Sequence, residues 1–447
     1  MSHEFGVGKY QILLPEEIYQ AGITVIDGKH CIRTVTDGQD GTEILAGGAA
    51  FVKVQPPTSL LMPFLQYRTE EGFTFLSLCR RCSELRQKVC RHRAVSSRSF
   101  TSSWMVTDLD MAVSLGYKVI EWYEIHHFPK KSALLKDYVK ILNGEKIKNS
   151  GGLQNMTSEA EKKSYCDSLN ERMNLPQQFE LNSENVINNS AQKQTFKMLC
   201  NSFYGKFSQN SNFTKIDLIQ ERSHLLEIVN SQEVIDISSL SDNFVQIEYQ
   251  PSTEKTKPNL KGSLYIGAEI NALARVFMYK SMLKIVQAQG TLFAVDTDGL
   301  FYSLPKDVPD PLPFSDAVGD FKSVYPEILN FLALGNRNYS LSYKSSDGKI
   351  KNVTKIKGLS LSSHNLSDSL SSDTYREYID SHFQNEYKNI YLPQLRQTVN
   401  KDTKEPEDKM QRYNFSNDLF LKRFVCNEKP PTYVTYPYGY RFQKLKK

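Results

Sequence analysis

The stretch Leu292-Phe293-Ala294-Val295-Asp296-Thr297-Asp298-Gly299-Leu300-Phe301-Tyr302 sets an apolar run on each side of a turn that carries two carboxylates. Apolar runs divided by an Asp-Gly dipeptide predict a β-hairpin. The plain reading is a structural turn. The chemical reading is a rigid mount for hard oxygen ligands. Mg²⁺ is commonly held by one or two carboxylates together with substrate phosphates, and two-metal phosphoryl transfer needs such groups fixed in advance.

Upstream, Lys193-Gln-Thr-Phe-Lys197-Met-Leu-Cys-Asn201-Ser202-Phe-Tyr204-Gly205 has helical spacing. Residues 185–207 predict a helix ending at Gly205, with Lys193, Lys197, Asn201 and Tyr204 on one face. Two ammonium groups a turn apart suit a triphosphate. An aromatic ring beside a glycine suits a stacked base pair. The plain alternative is an amphipathic helix with a solvated lysine edge and a glycine C-cap.

Farther out, residues 46–68 read as strand and turn, with Phe51-Val52-Lys53-Val54 stopped by Pro56-Pro57. Residues 104–128 carry a helix pattern around Leu109, Ala112 and Val113, then Gly116 and a strand-like Tyr117–Tyr123. Residues 143–184 are polar, with short helices and exposed loops expected. A polar β-like region runs to about 260, and a helix is expected over 266–289. Ser-rich 360–373 and charged 401–409 read as loops or linkers. There is no internal repeat.

Cys79-x2-Cys82-x7-Cys90-x-His92 offers zinc-type ligands at close spacing. Arg80, Arg81, Arg86, Lys88, Arg91, Arg93 and Arg98 surround it, opposed by Glu84. A zinc-pinned basic loop on a phosphate backbone uses both features. Reduced structural cysteines in a basic surface loop are the alternative. Cys31, Cys166, Cys200 and Cys426 have no partner spacing and read as structural. His126-His127 reads as a packed or loop pair.

The 447 residues, 40% hydrophobic, can bury a large core over two to four structural units, which excludes wholesale disorder. No run of 18 uncharged apolar residues exists, so a membrane span is not expected. No secretory signal is visible, and seven cysteines do not make a disulfide framework in so long a chain. An intracellular protein follows, with nucleus or cytoplasm left open. The net charge of +5 permits nucleic-acid binding without arguing for it.

In order and spacing, these motifs resemble the family B DNA polymerases. The Lys193–Gly205 segment is similar to the B motif, K-x-x-x-N-S-x-Y-G. The carboxylate hairpin is similar to the C motif, Y-x-D-T-D-S, with Ala294 in place of Tyr and Gly299 in place of Ser. Gly335-Asn-Arg337-Asn-Tyr339 resembles G-P-K-N-Y, with Arg337 for Lys. Lys355-Ile-Lys357-Gly358-Leu359 resembles the K-x-K-G strand. Asn417–Arg423 and Thr435–Tyr440 match the C-terminal signature. Over roughly residues 46–447 this is the pattern of the protein-primed type B enzymes of viruses, linear plasmids and Polinton-type transposons.

The resemblance implies an α+β right-hand fold of palm, fingers and thumb with terminal-protein-region insertions. Residues 1–142 would hold the end of the A-motif region of the palm and the first insertion (104–142), with the Cys/His basic loop. A polar connector follows at 143–184 and the fingers helix at 185–210. The second insertion lies at 211–262, the palm with the C motif at 263–359 and the thumb at 360–447. Asp296 and Asp298 would hold Mg²⁺ for catalysis, and Lys193, Lys197, Asn201 and Tyr204 would bind the incoming nucleotide. Arg337, Tyr339 and Lys357 would hold DNA, and Cys79, Cys82, Cys90 and His92 are candidate zinc ligands. The implied partners are a DNA template-primer, dNTPs and a terminal primer protein, with no membrane.

The A motif, D-x-x-S-L-Y-P, does not occur in the sequence. Phe5-Gly-Val-Gly8-Lys9 resembles the turn that follows it, so the chain is expected to begin just downstream, without that strand or the exonuclease domain. Asp27, before Gly28, reads as a turn former. Two further readings stay open: a catalytically inactive DNA-binding remnant of a transposon polymerase, and a zinc-dependent nucleic-acid adaptor centred on 79–92.

Overall fold

Alternation decides the central strand: in Ala49–Gln55, Ala50, Val52 and Val54 are almost fully buried, while Phe51 faces outward at 41% exposure. The computed structural model describes residues 3–36, 39–45, 48–209, 213–241, 243–251, 263–335, 337–357, 372–383, 386, 389–399, 403, 406–416, 422–425 and 434–442. The strand Ala49–Gln55 lies between Lys118–His127 and Phe100–Met105 in an antiparallel sheet whose fourth strand is Gln11–Leu13. The helix Val106–Ser114 adds Val106, Leu109 and Ala112 to the same core, three residues apart. Tyr279, on the helix Leu264–Gln287, reaches this core and donates its hydroxyl to Met62 O at 2.5 Å. Mixed helix and strand is therefore the observed class.

The chain divides into two compact units. The first takes Met1–Met198, Glu269–Gln394 and Arg412–Lys447, and the second takes Leu199–Ala268 and Leu395–Gln411. Within the first, the helices Lys136–Lys148 and Glu159–Met173 bury Ile147, Cys166, Leu169 and Met173 as a separate core. The second helix starts at Ser158, whose side chain accepts from Ala160 N–H, and closes on left-handed Asn174. Phe5–Val7 pairs with Lys130–Ser132. Asp27 and Gly28, both at positive φ, make the turn between Ile23–Ile26 and Lys29–Thr36, the role expected of an Asp-Gly pair.

The second unit holds the sheet Lys215–Ile219, Phe244–Gln250, Glu233–Ser241. The helix Arg222–Ser231 packs Ile228 against Ile219 and Ile247. That helix was not expected within the polar β-like stretch. It is only ten residues long and lies between two strands, with Ile228 buried and Leu225 packed beside it.

Three expectations are corrected. The helix Ser190–Phe207 does not end at Gly205 but continues to Phe207, so the glycine is no C-cap. A Cβ at Gly205 would meet nothing within 4 Å among the described residues. Charged residues 406–409 are not loop, because Pro406–Ser416 is a strand, paired with Asn389–Val399. Most of the Ser-rich loop, Gly358-Leu359, Asn417–Leu421 of the C-terminal signature and Cys426 lie outside the described residues. Among the described residues no helix is long and apolar enough to cross a membrane.

Candidate active site

Strands Thr291–Asp296 and Gly299–Ser303 pair down to Asp296↔Gly299, leaving Thr297 and Asp298 as the turn. Thr297 sits at φ 56°. A β-branched residue rarely adopts that region, and such strain costs on the order of 1–3 kcal/mol. Asp296 is half-buried and Asp298 exposed. Gly299 is not at positive φ, and a Cβ there would meet only Asp296 O at 3.4 Å, so the position has room for a serine.

A second hairpin turn reaches the first. Glu327–Gly335 pairs with Asn338–Lys344, and Arg337, at φ 59°, lies in the connecting turn. Its Nε is 3.1 Å from Asp296 Oδ1, and a terminal guanidinium nitrogen donates to Thr297 Oγ1 at 3.4 Å. Both side chains are more than a third exposed, so the pair contributes about 0–1 kcal/mol and gives way readily to stronger ligands.

Aromatic packing ties the two hairpins together behind these turns. Phe301 stacks on Phe331 at 4.6 Å between ring centroids and meets Tyr339 at 5.2 Å. Burial, with Tyr325 beside it, pushes the Tyr339 hydroxyl up to about 12. In the third strand, Ile350–Lys355, Lys355 stands opposite Tyr339. The exposed Lys357, just beyond, donates its N–H to Asn338 Oδ1 at 2.8 Å, next to Arg337. Asp296, Asp298, Arg337, Tyr339 and Lys357 are thus brought to one pair of turns.

The helix Ser190–Phe207 runs unbroken through Lys193, Lys197, Asn201 and Tyr204, with Asn189 Oδ1 accepting from Gln192 N–H at its start. None of its residues is fully buried, and Met198 is 58% exposed. Lys193 and Lys197 are both exposed, as the solvated lysine edge of the plain reading also requires. Lys193 Nζ donates to Ser150 O at 3.5 Å. Lys193 and Lys197 make no hydrogen bond or ion pair with Asp296 or Asp298 among the described residues. Asn201 and Tyr204 fall in the second unit.

Cys79, Cys82, Cys90 and His92 do come together, with ligand atoms all within 4.8 Å of one another. Cys79 and Cys82 sit at the start of the helix Arg80–Glu84 and are fully buried. Hydrogen bonds from Cys79 and Cys82 hold the Cys90 thiol well below its ordinary value. The basic shell is less uniform than its sequence: Arg80 and Arg81 pair with Glu84, Arg86 pairs with Glu71, and Lys88, Arg91 and Arg93 are exposed. Arg98 is not a surface cation at all, being 2% exposed.

His127 is packed, at 1% exposure, and burial lowers its pKa; His126 stacks on Tyr10 at 5.2 Å. Sequence reasoning missed a buried acidic group. Asp108 takes both oxygens to Arg275, at 3.1 and 2.6 Å, and Thr107 donates to Glu269 Oε1 at 2.5 Å. Burial pushes Glu269 up to about 7. Its signal was a lone carboxylate in the apolar helix Leu264–Gln287. Among the described residues, no third acidic side chain joins Asp296 and Asp298 as a ligand cluster.

Residues 179–288, about a quarter of the chain, match the family model described as DNA polymerase type B, organellar and viral. The match takes in the helix of Lys193 and Lys197 and the helix of Glu269, and ends just before the carboxylate hairpin. No curated protein matches the chain, and no solved structure does.

Proposed function

We propose that this chain, whose residues 179–288 match the model of the organellar and viral type B DNA polymerases, transfers dNMP from dNTPs to a DNA 3′-hydroxyl or a protein-primer hydroxyl under the direction of a template. The observation that carries the reading is the meeting of two strained turns. Asp296 and Asp298 sit on one, and Arg337, 3.1 Å from Asp296, on the other. Strain held at a cluster of exposed charges is typical of working sites.

The two carboxylates are hard oxygen donors on a rigid hairpin, a set that fits Mg²⁺. Bound there, Mg²⁺ would act as a Lewis acid on triphosphate oxygens. Arg337 screens Asp296 in the free protein and, once displaced, is the cation beside the primer phosphate. The Tyr339 hydroxyl, protonated at neutral pH like any tyrosine, offers a hydrogen-bond donor next to it. Lys193 and Lys197 bind the triphosphate and neutralise the departing pyrophosphate, from a helix face that is open to solvent. Asn201 and Tyr204 shape the pocket for the nascent base pair.

In this reading the hairpins and their neighbouring sheet are palm, the helix Ser190–Phe207 is fingers, and 360–447 is thumb. The segments 104–142 and 211–262 are the two insertions, the first embracing a terminal primer protein. Lys88, Arg91 and Arg93 add salt-dependent contacts to phosphate.

Primer extension with template, dNTPs and Mg²⁺ tests the proposal: incorporation by the wild-type chain and its loss in Asp296→Ala and Asp298→Ala support it. A second reading, an inactive DNA-binding remnant, is favoured by one observation: no third acidic ligand joins the pair among the described residues. DNA binding without incorporation by the wild-type chain would establish it.

A further inference from the structure

We propose that Cys79, Cys82, Cys90 and His92 bind one Zn²⁺ in a closed tetrahedral site whose role is structural. It pins the C-terminal segment around Tyr438 and Gly439 to the turn at Leu78–Cys82. The site is independent of the polymerase reading.

Distances carry the first part. His92 Nδ1 lies 3.6 Å from Cys79 Sγ and 3.4 Å from Cys82 Sγ. With Zn–S about 2.3 Å and Zn–N about 2.0–2.1 Å, the sulfur-to-nitrogen edge of a tetrahedron is about 3.6 Å. The three thiols are free, so no disulfide competes for these sulfurs. Backbone geometry fixes the first pair: Ser83 N–H donates to Cys79 O at 3.1 Å and Gln87 N–H to Cys82 O at 2.9 Å.

Charge balance carries the second part. Arg98 is buried, and its guanidinium donates to Pro57 O and Leu78 O at 2.9 Å each and to Cys90 Sγ at 3.5 Å. No carboxylate pairs with it among the described residues. A buried cation without an anion is costly. Three thiolates, one neutral imidazole and Zn²⁺ sum to one negative charge, which is the counter-ion Arg98 otherwise lacks.

The C-terminal segment closes the site. Leu78 N–H donates to Tyr438 O at 2.8 Å, and Phe75, Phe424 and Tyr438 share a core with Cys79 and Cys82. Gly439, at φ +87°, comes so close that a Cβ would meet Cys79 Cβ at 2.5 Å and Cys79 N at 2.6 Å. Arg441 donates to His92 O, and its own N–H to Thr58 O at 2.8 Å. Four protein ligands and a covered face leave no open coordination position, the mark of a structural zinc.

The test is metal analysis of the full chain purified after growth in zinc-supplemented medium. About one zinc per chain is expected, with at least a tenfold loss in Cys90→Ser and none in Cys200→Ser. Should Cys90→Ser fail to fold, Co²⁺ exchanged into the wild-type chain is expected to show the visible bands of tetrahedral thiolate coordination. Removing metal with a chelator is expected to speed trypsin cleavage after Arg441 at least tenfold. Less than a tenth of a zinc per chain with no such Co²⁺ spectrum overturns the site. Unchanged cleavage after metal removal overturns the pinning.

Discussion

Gly439→Ala is expected to loosen the C-terminal segment from the Cys79 turn without unfolding the central sheet. At φ +87° a non-glycine residue costs about 1–2 kcal/mol. The added methyl would meet Cys79 Cβ at 2.5 Å, Cys79 N at 2.6 Å and Leu78 C at 2.7 Å. Two of these are backbone atoms that yield only if the turn shifts, an overpacking cost of about 1–3 kcal/mol. The alanine returns roughly 0.4–1 kcal/mol by restricting the unfolded chain. A net loss of about 1–4.6 kcal/mol remains, which is a roughly five- to two-thousandfold faster local opening. Native-state hydrogen exchange reads it at Leu78 N–H, whose acceptor is Tyr438 O. Leu78 should exchange faster by that factor while the amides of Ala49–Gln55 keep wild-type protection. Leu78 exchange within threefold of wild type would refute the steric reasoning.

Glu269→Gln should stabilise the protein at pH 8 and flatten its stability between pH 5 and 7. The folded carboxyl is pushed up to about 7 from 4.5, so its contribution is full below about 4.5 and lost as pH rises through 7, about 3 kcal/mol in all. Denaturant midpoints of both proteins across that range check it. Arg337→Ala should change stability by under about 1 kcal/mol, since its ion pair is exposed. The same variant should reduce the salt slope of primer-template binding by about one phosphate contact, read by fluorescence anisotropy. Gly299→Ser should fold like wild type within about 0.5 kcal/mol, because its Cβ has room.

Elements with a strong local period were legible in the sequence. Ala49–Gln55 alternates, Leu264–Gln287 is long and helical, and an Asp-Gly turn announced the Asp296 hairpin. The Cys/His cluster was legible from its spacing, since its other three ligands all lie within thirteen residues of Cys79. What depended on distant chain was not legible. Arg98 looked like one more surface cation, and its burial comes from Pro57 and Leu78 on other segments. The closure of the Cys79 turn by Gly439 joins residues from opposite ends of the chain. Gly205 illustrates the reverse error: glycine near a helix end is usually a cap, yet here the helix passes through it.

Whether the turns at Thr297–Asp298 and Arg337 form one metal-and-phosphate site is tested most directly by Fe²⁺ substituted for Mg²⁺, with ascorbate and peroxide to cut the backbone around the bound ion. Cleavage is expected at both turns, suppressed by excess Mg²⁺ and lost in Asp298→Ala. Cleavage confined to other segments, or cleavage at these turns that persists in Asp298→Ala, would contradict it.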